Sequence, residues 1–202
     1  MPDLRRRAFL KLGAGLALGA PFAVAAAGCA PDDPLAEQAN AGDNKNYISG
    51  DGSVTEYDAA DRGEAVQISG TLFDGTQVDS AQWAGSVVVL NFWYAACAPC
   101  RKEAPDLVEL HAAFEPEGAL FYGVNIRDEK ATAEAFERNF SISYPSFKDK
   151  DGAVLLGMSS YVPPQAVPTT LVLDREGRVA ARILGLADKG TLKALIRDTL
   201  AA

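Results

Sequence analysis

Seven consecutive residues, Val87-Val88-Val89-Leu90-Asn91-Phe92-Trp93, are almost wholly apolar and run straight into Tyr94-Ala95-Ala96-Cys97-Ala98-Pro99-Cys100. A short run that is apolar on both faces is a strand with helices on either side, which sets it at the centre of an α/β domain. Beyond it, Leu107, Leu110 and Phe114 recur at helical spacing, so the chain turns from strand to helix at the cysteines. A spacing of three puts both thiols on one face of the first helical turn, near enough to join as a disulfide. The unpaired N–H groups and positive dipole end of that turn favour a thiolate at Cys97, which makes it the attacking sulfur. Cys100, one turn deeper, is then the resolving thiol. Pro99 is tolerated there because a first-turn residue has no intrahelical N–H bond to lose, whereas Pro105 lies inside the helix and is expected to kink it.

Two plainer readings compete. Half a zinc site needs about four ligands in all, and beyond the pair the sequence offers His111 and Cys29. No metal and no other cofactor is expected, and His111 is read as a surface residue of the helix. A purely structural disulfide of this spacing closes almost no loop and so stabilises little. Neither reading accounts for the strand-to-helix setting.

The first 28 residues read as an export signal and not as a domain. Arg6-Arg7-Ala8-Phe9-Leu10-Lys11 resembles the twin-arginine consensus, and the small-residue stretch after it is of modest hydrophobicity. Ala26-Ala27-Gly28-Cys29 resembles a lipobox, which makes Cys29 the expected lipidated first residue of the mature chain. Lipidation also removes the one thiol left over from the pair. Cleavage before Cys29 leaves 15 basic against 26 acidic residues, a net charge of −11. Such a chain is not built for nucleic acid, and membrane attachment is expected through acyl chains at Cys29.

Residues 29–65 are rich in Asp, Gly, Asn and Ala and read as a flexible tether, with Tyr47-Ile48 and Tyr57 as places that could dock. Residues 66–202 form one domain of ordinary size. Within it, 66–72 and 76–78 flank an Asp-Gly turn and give a hairpin; 80–83 suits a short helical turn. A second buried strand at 119–126, an amphipathic helix at 130–140, a weaker helix at 153–161, a hairpin at the sheet edge about Arg175-Glu176-Gly177 and a closing helix at 191–200 complete the order. This predicts an α/β sandwich around a mixed sheet.

That order, with Phe92-Trp93 ahead of the CxxC, Pro105 after it and Val167-Pro168-Thr169-Thr170 opening a late strand, resembles the thioredoxin superfamily. Asn91, Glu103, the segment from Ile68 to Gly75 and the stretch Tyr144-Pro145-Ser146-Phe147 narrow the resemblance to exported TlpA/ResA/CcmG-type proteins. The resemblance implies a thioredoxin-like three-layer sandwich with an N-terminal β-hairpin extension, and a cis bond between Val167 and Pro168. It also implies a client surface formed by Trp93, Pro99, Val167 and Pro168, and a proton-exchanging role for Glu103 beside the thiols. A partly buried carboxyl there has a raised pKa, which suits acid/base work.

Ala98-Pro99 cannot stabilise a thiolate as a histidine between the cysteines would, which favours a reductant over an oxidant. The resemblance implies an extracytoplasmic, monomeric disulfide reductase supplied by a membrane thiol transporter and acting on oxidised C-x-x-C-H sites of apocytochrome c. The alternatives are a peroxiredoxin-like peroxidase, disfavoured by Tyr94 where a Thr or Ser is usual, and a non-catalytic thioredoxin-fold binding module.

Overall fold

The computed structural model describes residues 50–202. The export segment, Cys29 and Tyr47-Ile48 lie outside them. Strand β1 (Asp51–Glu56) is followed by a hairpin of β2 (Ser69–Thr71) and β3 (Gln77–Asp79), a 3-10 turn at Ser80–Trp83 and strand β4 (Val87–Trp93). Helix α1 (Ala98–Phe114), β5 (Ala119–Asn125), α2 (Lys130–Phe140), β6 (Ser146–Lys148) and α3 (Ala153–Gly157) come next. Strands β7 (Thr169–Leu173) and β8 (Val179–Gly185) and helix α4 (Lys189–Ala201) close the chain.

The main sheet has the order β1-β8-β7-β4-β5-β6. β4 pairs parallel with β5 and antiparallel with β7, so every residue of β4 is buried and the sheet is mixed, as its apolar run requires. Val87 and Val89 face the apolar stripe of α1 and the Leu192, Leu195 and Ile196 side of α4. Val88, Leu90 and Phe92 face the opposite layer, built by Trp83, Phe147, Val154 and Met158. That second layer is largely the β2–β3 hairpin and the short α3, fastened to the sheet by the Leu72–Phe147 bridge, where two flanking helical layers were expected.

Three sequence expectations are corrected. Residues 51–56, assigned to the tether, form an edge strand in register with β8, Val54 opposite Ile183. An edge strand needs backbone partners more than an apolar face, so its polar composition concealed it. The Tyr57 ring lies edge-on to Tyr161 at 5.7 Å, and the domain therefore begins before residue 66. Because β1 covers β8, the Arg175-Glu176-Gly177 hairpin does not lie at the sheet edge. His111 is 8% exposed and packs against Phe121 at 5.3 Å and Tyr144 at 5.5 Å. It stands four residues beyond Leu107, on the same helical stripe, and Tyr144 widens the buried face of α1 to include it. Helix α1 continues through Pro105 as one element.

At the far end of the sheet, buried Asp174 accepts from Arg62 Nη1 at 2.9 Å and pairs with Arg178 Nε at 3.1 Å, while also receiving the backbone N–H groups of Glu176 and Arg178. Asp174→Ala leaves Arg62 without its acid and Arg178 with only the exposed Glu176 carboxylate, and is expected to cost about 3 kcal/mol of stability. Urea denaturation checks this; a loss below about 0.5 kcal/mol would make the pair a surface-like contact.

Candidate active site

The site stands where β4 ends. The chain leaves Trp93 and enters α1 with Cys97 as its N-cap, in extended conformation (φ −73°, ψ 110°). The Cys100 N–H donates to Cys97 Sγ at 3.2 Å, so the first turn of the helix aims a backbone donor at that sulfur. Cys97 and Cys100 are joined in a disulfide with Cα atoms 5.3 Å apart. Cys97 is 0% and Cys100 2% exposed. The exposed rim about them carries the small side chains Ala96 and Ala98, with Pro99 half-buried.

Neighbouring loops hold this turn. The Ala95 N–H donates to Asp128 Oδ2 at 2.6 Å, and Asn125 Nδ2 donates to the same oxygen at 2.8 Å. Arg127 lies over the Tyr94 ring at 4.4 Å, and Arg101 lies over Phe140 at 5.1 Å while donating to the Ala95 carbonyl. From the other side the chain before β7 arrives with a cis Val167–Pro168 bond. Its Val167 carbonyl lies 3.9 Å from Cys97 Sγ.

Glu103, one turn beyond Cys100, is 1% exposed. Its Oε1 accepts from Asn91 Nδ2 at 2.8 Å and its Oε2 from the Ala187 N–H at 2.9 Å. Asn91 Nδ2 also donates to Thr170 Oγ1 at 3.0 Å. Burial pushes the Glu103 carboxyl up to about 7, and Asp106 adds to the rise, while the Ala187 and Asn91 donors hold it back. Burial likewise drives the Tyr144 phenol far above its ordinary value, with Glu103 and Glu137 adding to it. Behind Cys100 a cavity of about 10 Å³, near the lower limit for one water, is lined by Asn91, Trp93, Cys100, Ala104, Phe136 and Tyr144 among others.

A family model described as AhpC/TSA matches residues 62–182. The chain belongs to the AhpC/TSA family. Among curated relatives, the thiol-disulfide oxidoreductase ResA of Geobacillus thermodenitrificans is 31% identical over 120 residues, 59% of this chain and 67% of that protein. A solved DsbF homologue from Corynebacterium diphtheriae superposes with a TM-score of 0.65 at 35% identity, covering 74% of this chain and 94% of that one. A secreted thiol-disulfide isomerase from Corynebacterium glutamicum gives 0.67 at 30% identity, with 78% and 98% covered. The fold is thioredoxin-like, and the joined CxxC pair makes this AhpC/TSA member a thiol-disulfide oxidoreductase.

Within this family member the structure brings Cys97, Cys100, Pro99, Val167 and Pro168 to one place and sets Glu103 behind them. Of the four residues expected at the client surface, Pro99 is half-buried, the side chains of Val167 and Pro168 are buried, and Trp93 is 4% exposed with its ring stacked on Phe136 at 4.4 Å. Strand alternation puts it on the Asn91 side of β4, beneath α2, so it shapes the floor of the site. Sequence reasoning missed Asn125 and Asp128. A recognisable signal existed, since Asn125-Ile126-Arg127-Asp128 leaves a strand end parallel to β4, and the Asn125 side chain accepts from the Asp128 N–H in an Asx-type turn.

Proposed function

We propose that this oxidoreductase reduces protein disulfides outside the cytoplasm, with oxidised C-x-x-C-H sites of apocytochrome c as its clients. What carries the direction is the charge around the dithiol. Ala98 and Pro99 place no cation between the cysteines, and the ionisable group that follows them on the buried face of α1 is the carboxyl of Glu103. An anion there disfavours thiolates, so the reduced pair is less stabilised and gives up its electrons more readily.

In the proposed cycle an extended client segment lies along Val167, against which Cys97 is already set. The Cys97 thiolate attacks one client sulfur, and the other leaves as a thiolate and takes up a proton. Cys100, passing its proton toward Glu103, then attacks Cys97 Sγ and releases the second client thiol. The client gains two electrons and two protons, and the Cys97–Cys100 pair loses them. A membrane thiol transporter supplies the next pair of electrons, and the sulfurs themselves carry the chemistry without a further cofactor.

Extracytoplasmic action is supported by the export-like N-terminal sequence, by the Cys29 lipobox as the membrane anchor and by a relative described as secreted. Among the described residues no helix is long and apolar enough to cross a membrane. The protein works as a monomer and engages no nucleic acid in this reading.

Cys100→Ala is expected to strand client proteins as mixed disulfides on Cys97, and mass spectrometry of the captured proteins should recover apocytochromes c. The reduction potential should lie near the thioredoxin value of about −270 mV; one near about −120 mV would make the protein an oxidase. A peroxide assay run alongside tests the peroxiredoxin-like alternative, which turnover of hydrogen peroxide faster than that of client disulfide would favour.

A further inference from the structure

The two carboxylate oxygens of Glu103 are held by donors whose other connections both lead to the same segment. Ala187, in the turn between β8 and α4, donates to Oε2, and two residues earlier the Gly185 N–H donates to the Pro168 carbonyl at 2.8 Å. Asn91 donates to Oε1 and also to Thr170 Oγ1, two residues beyond Pro168. Leu184 and Thr169 face each other across β7 and β8, so the turn continues directly from the strand pair that carries Pro168. Glu103, Asn91, Thr170 and Ala187 are all buried, and water cannot readily replace a lost partner.

We infer that the 185–187 turn, together with Asn91, is a positioning element that couples the Glu103 carboxyl to the Val167–Pro168 segment, so that each proton taken up or released by Glu103 moves the place where the client lies. This rests on the proposed role of Glu103 as proton carrier and of Val167–Pro168 as client platform. The physical cause is a conflict of donors. A carboxylate accepts strongly from both neighbours, whereas protonation puts an O–H on one oxygen and weakens that oxygen as an acceptor, so the pair of bonds is no longer balanced. Facing Ala187, that O–H meets a backbone N–H that cannot reorient unless the turn moves. Facing Asn91, it requires the amide to rotate, which reverses the bond to Thr170. Either response reaches the residues flanking Pro168.

The charged and titratable groups around Glu103 are few. Asp106 acts on it from α1 and is itself paired with Lys189 at the start of α4 at 3.6 Å. Tyr144 faces it from the segment before β6, and Glu137 of α2 acts on Tyr144. Asn91 of β4 and Thr170 of β7 are neutral. In the oxidised protein Cys97 and Cys100 do not titrate.

Amide proton and nitrogen shifts of the oxidised, full-length protein, followed across the neutral range, test the coupling. Ala187, Gly185 and Val167 are expected to titrate together with one midpoint, near 7, and to stay flat in Glu103→Gln. Asp106→Asn, a near-isosteric change at a half-buried position that removes a like charge, should shift all three midpoints to lower pH by the same amount, which keeps the test open even if Glu103→Gln does not fold. Titration of Ala187 with Gly185 and Val167 flat would overturn the coupling while leaving Glu103 as a proton carrier. No titration at any of the three, with an unchanged pH profile of thiol alkylation in Glu103→Gln, would remove both the proton carrier and the coupling built on it.

Discussion

Cys97→Ser is expected to bring disulfide reduction down to the uncatalysed background, a loss of at least about a thousandfold, because Cys97 is the sulfur at the helix N-cap, where the Cys100 N–H donor stabilises the attacking thiolate. Cys100→Ser should behave differently. It keeps the nucleophile and the helix N-terminus that favours its thiolate, so it should release one client thiol per protein and then stop at the mixed disulfide. A stopped assay with a fluorescent disulfide peptide and prereduced protein measures both. A stoichiometric burst from Cys97→Ser and none from Cys100→Ser would exchange the roles of the two sulfurs.

Glu103→Gln is expected to change how stability and reactivity follow pH, and the sign is fixed by the direction of the pKa change. The folded carboxyl is raised from 4.5 to about 7, so the native protein holds a proton that the unfolded chain has released between those values. Its contribution is therefore fully present below about 4.5 and is lost as pH rises toward 7, by roughly 3 kcal/mol at about 1.4 kcal/mol per pH unit. In urea titrations of the oxidised proteins, wild type should lose this stability between about pH 4.5 and 7, apart from the contributions of other groups, and the variant should not. Glutamine at 103 also removes the negative charge behind the dithiol, so the alkylation profile of reduced Cys97 should move to lower pH while turnover at neutral pH falls. Identical profiles for both proteins would take Glu103 out of the mechanism.

The parts of the site that were legible in the sequence are those written in local pattern. The Val87–Trp93 run, the cysteine spacing and the apolar stripe of α1 predicted a strand, a helix and a dithiol between them, and the Asp-Gly and Glu-Gly turns placed two hairpins. The segment at 51–56 escaped because an edge strand with a mostly exposed side-chain row has no amphipathic signature, and its partner β8 lies far along the chain. Trp93 was misplaced for a related reason. The family resemblance implies a surface role for it, but the facing layer, here Phe136 of α2, decides whether the ring is covered.

By itself the sequence determined that a buried strand hands a two-cysteine turn to a helix, since periodicity and thiol spacing are properties of a single stretch of chain. The tertiary structure alone decided which groups surround that turn. Asp128 holds Ala95 from 33 positions away, and Ala187 meets Glu103 across 84. A hydrogen bond or a burial at that separation depends on which elements pack together, and no window of neighbouring residues contains that information.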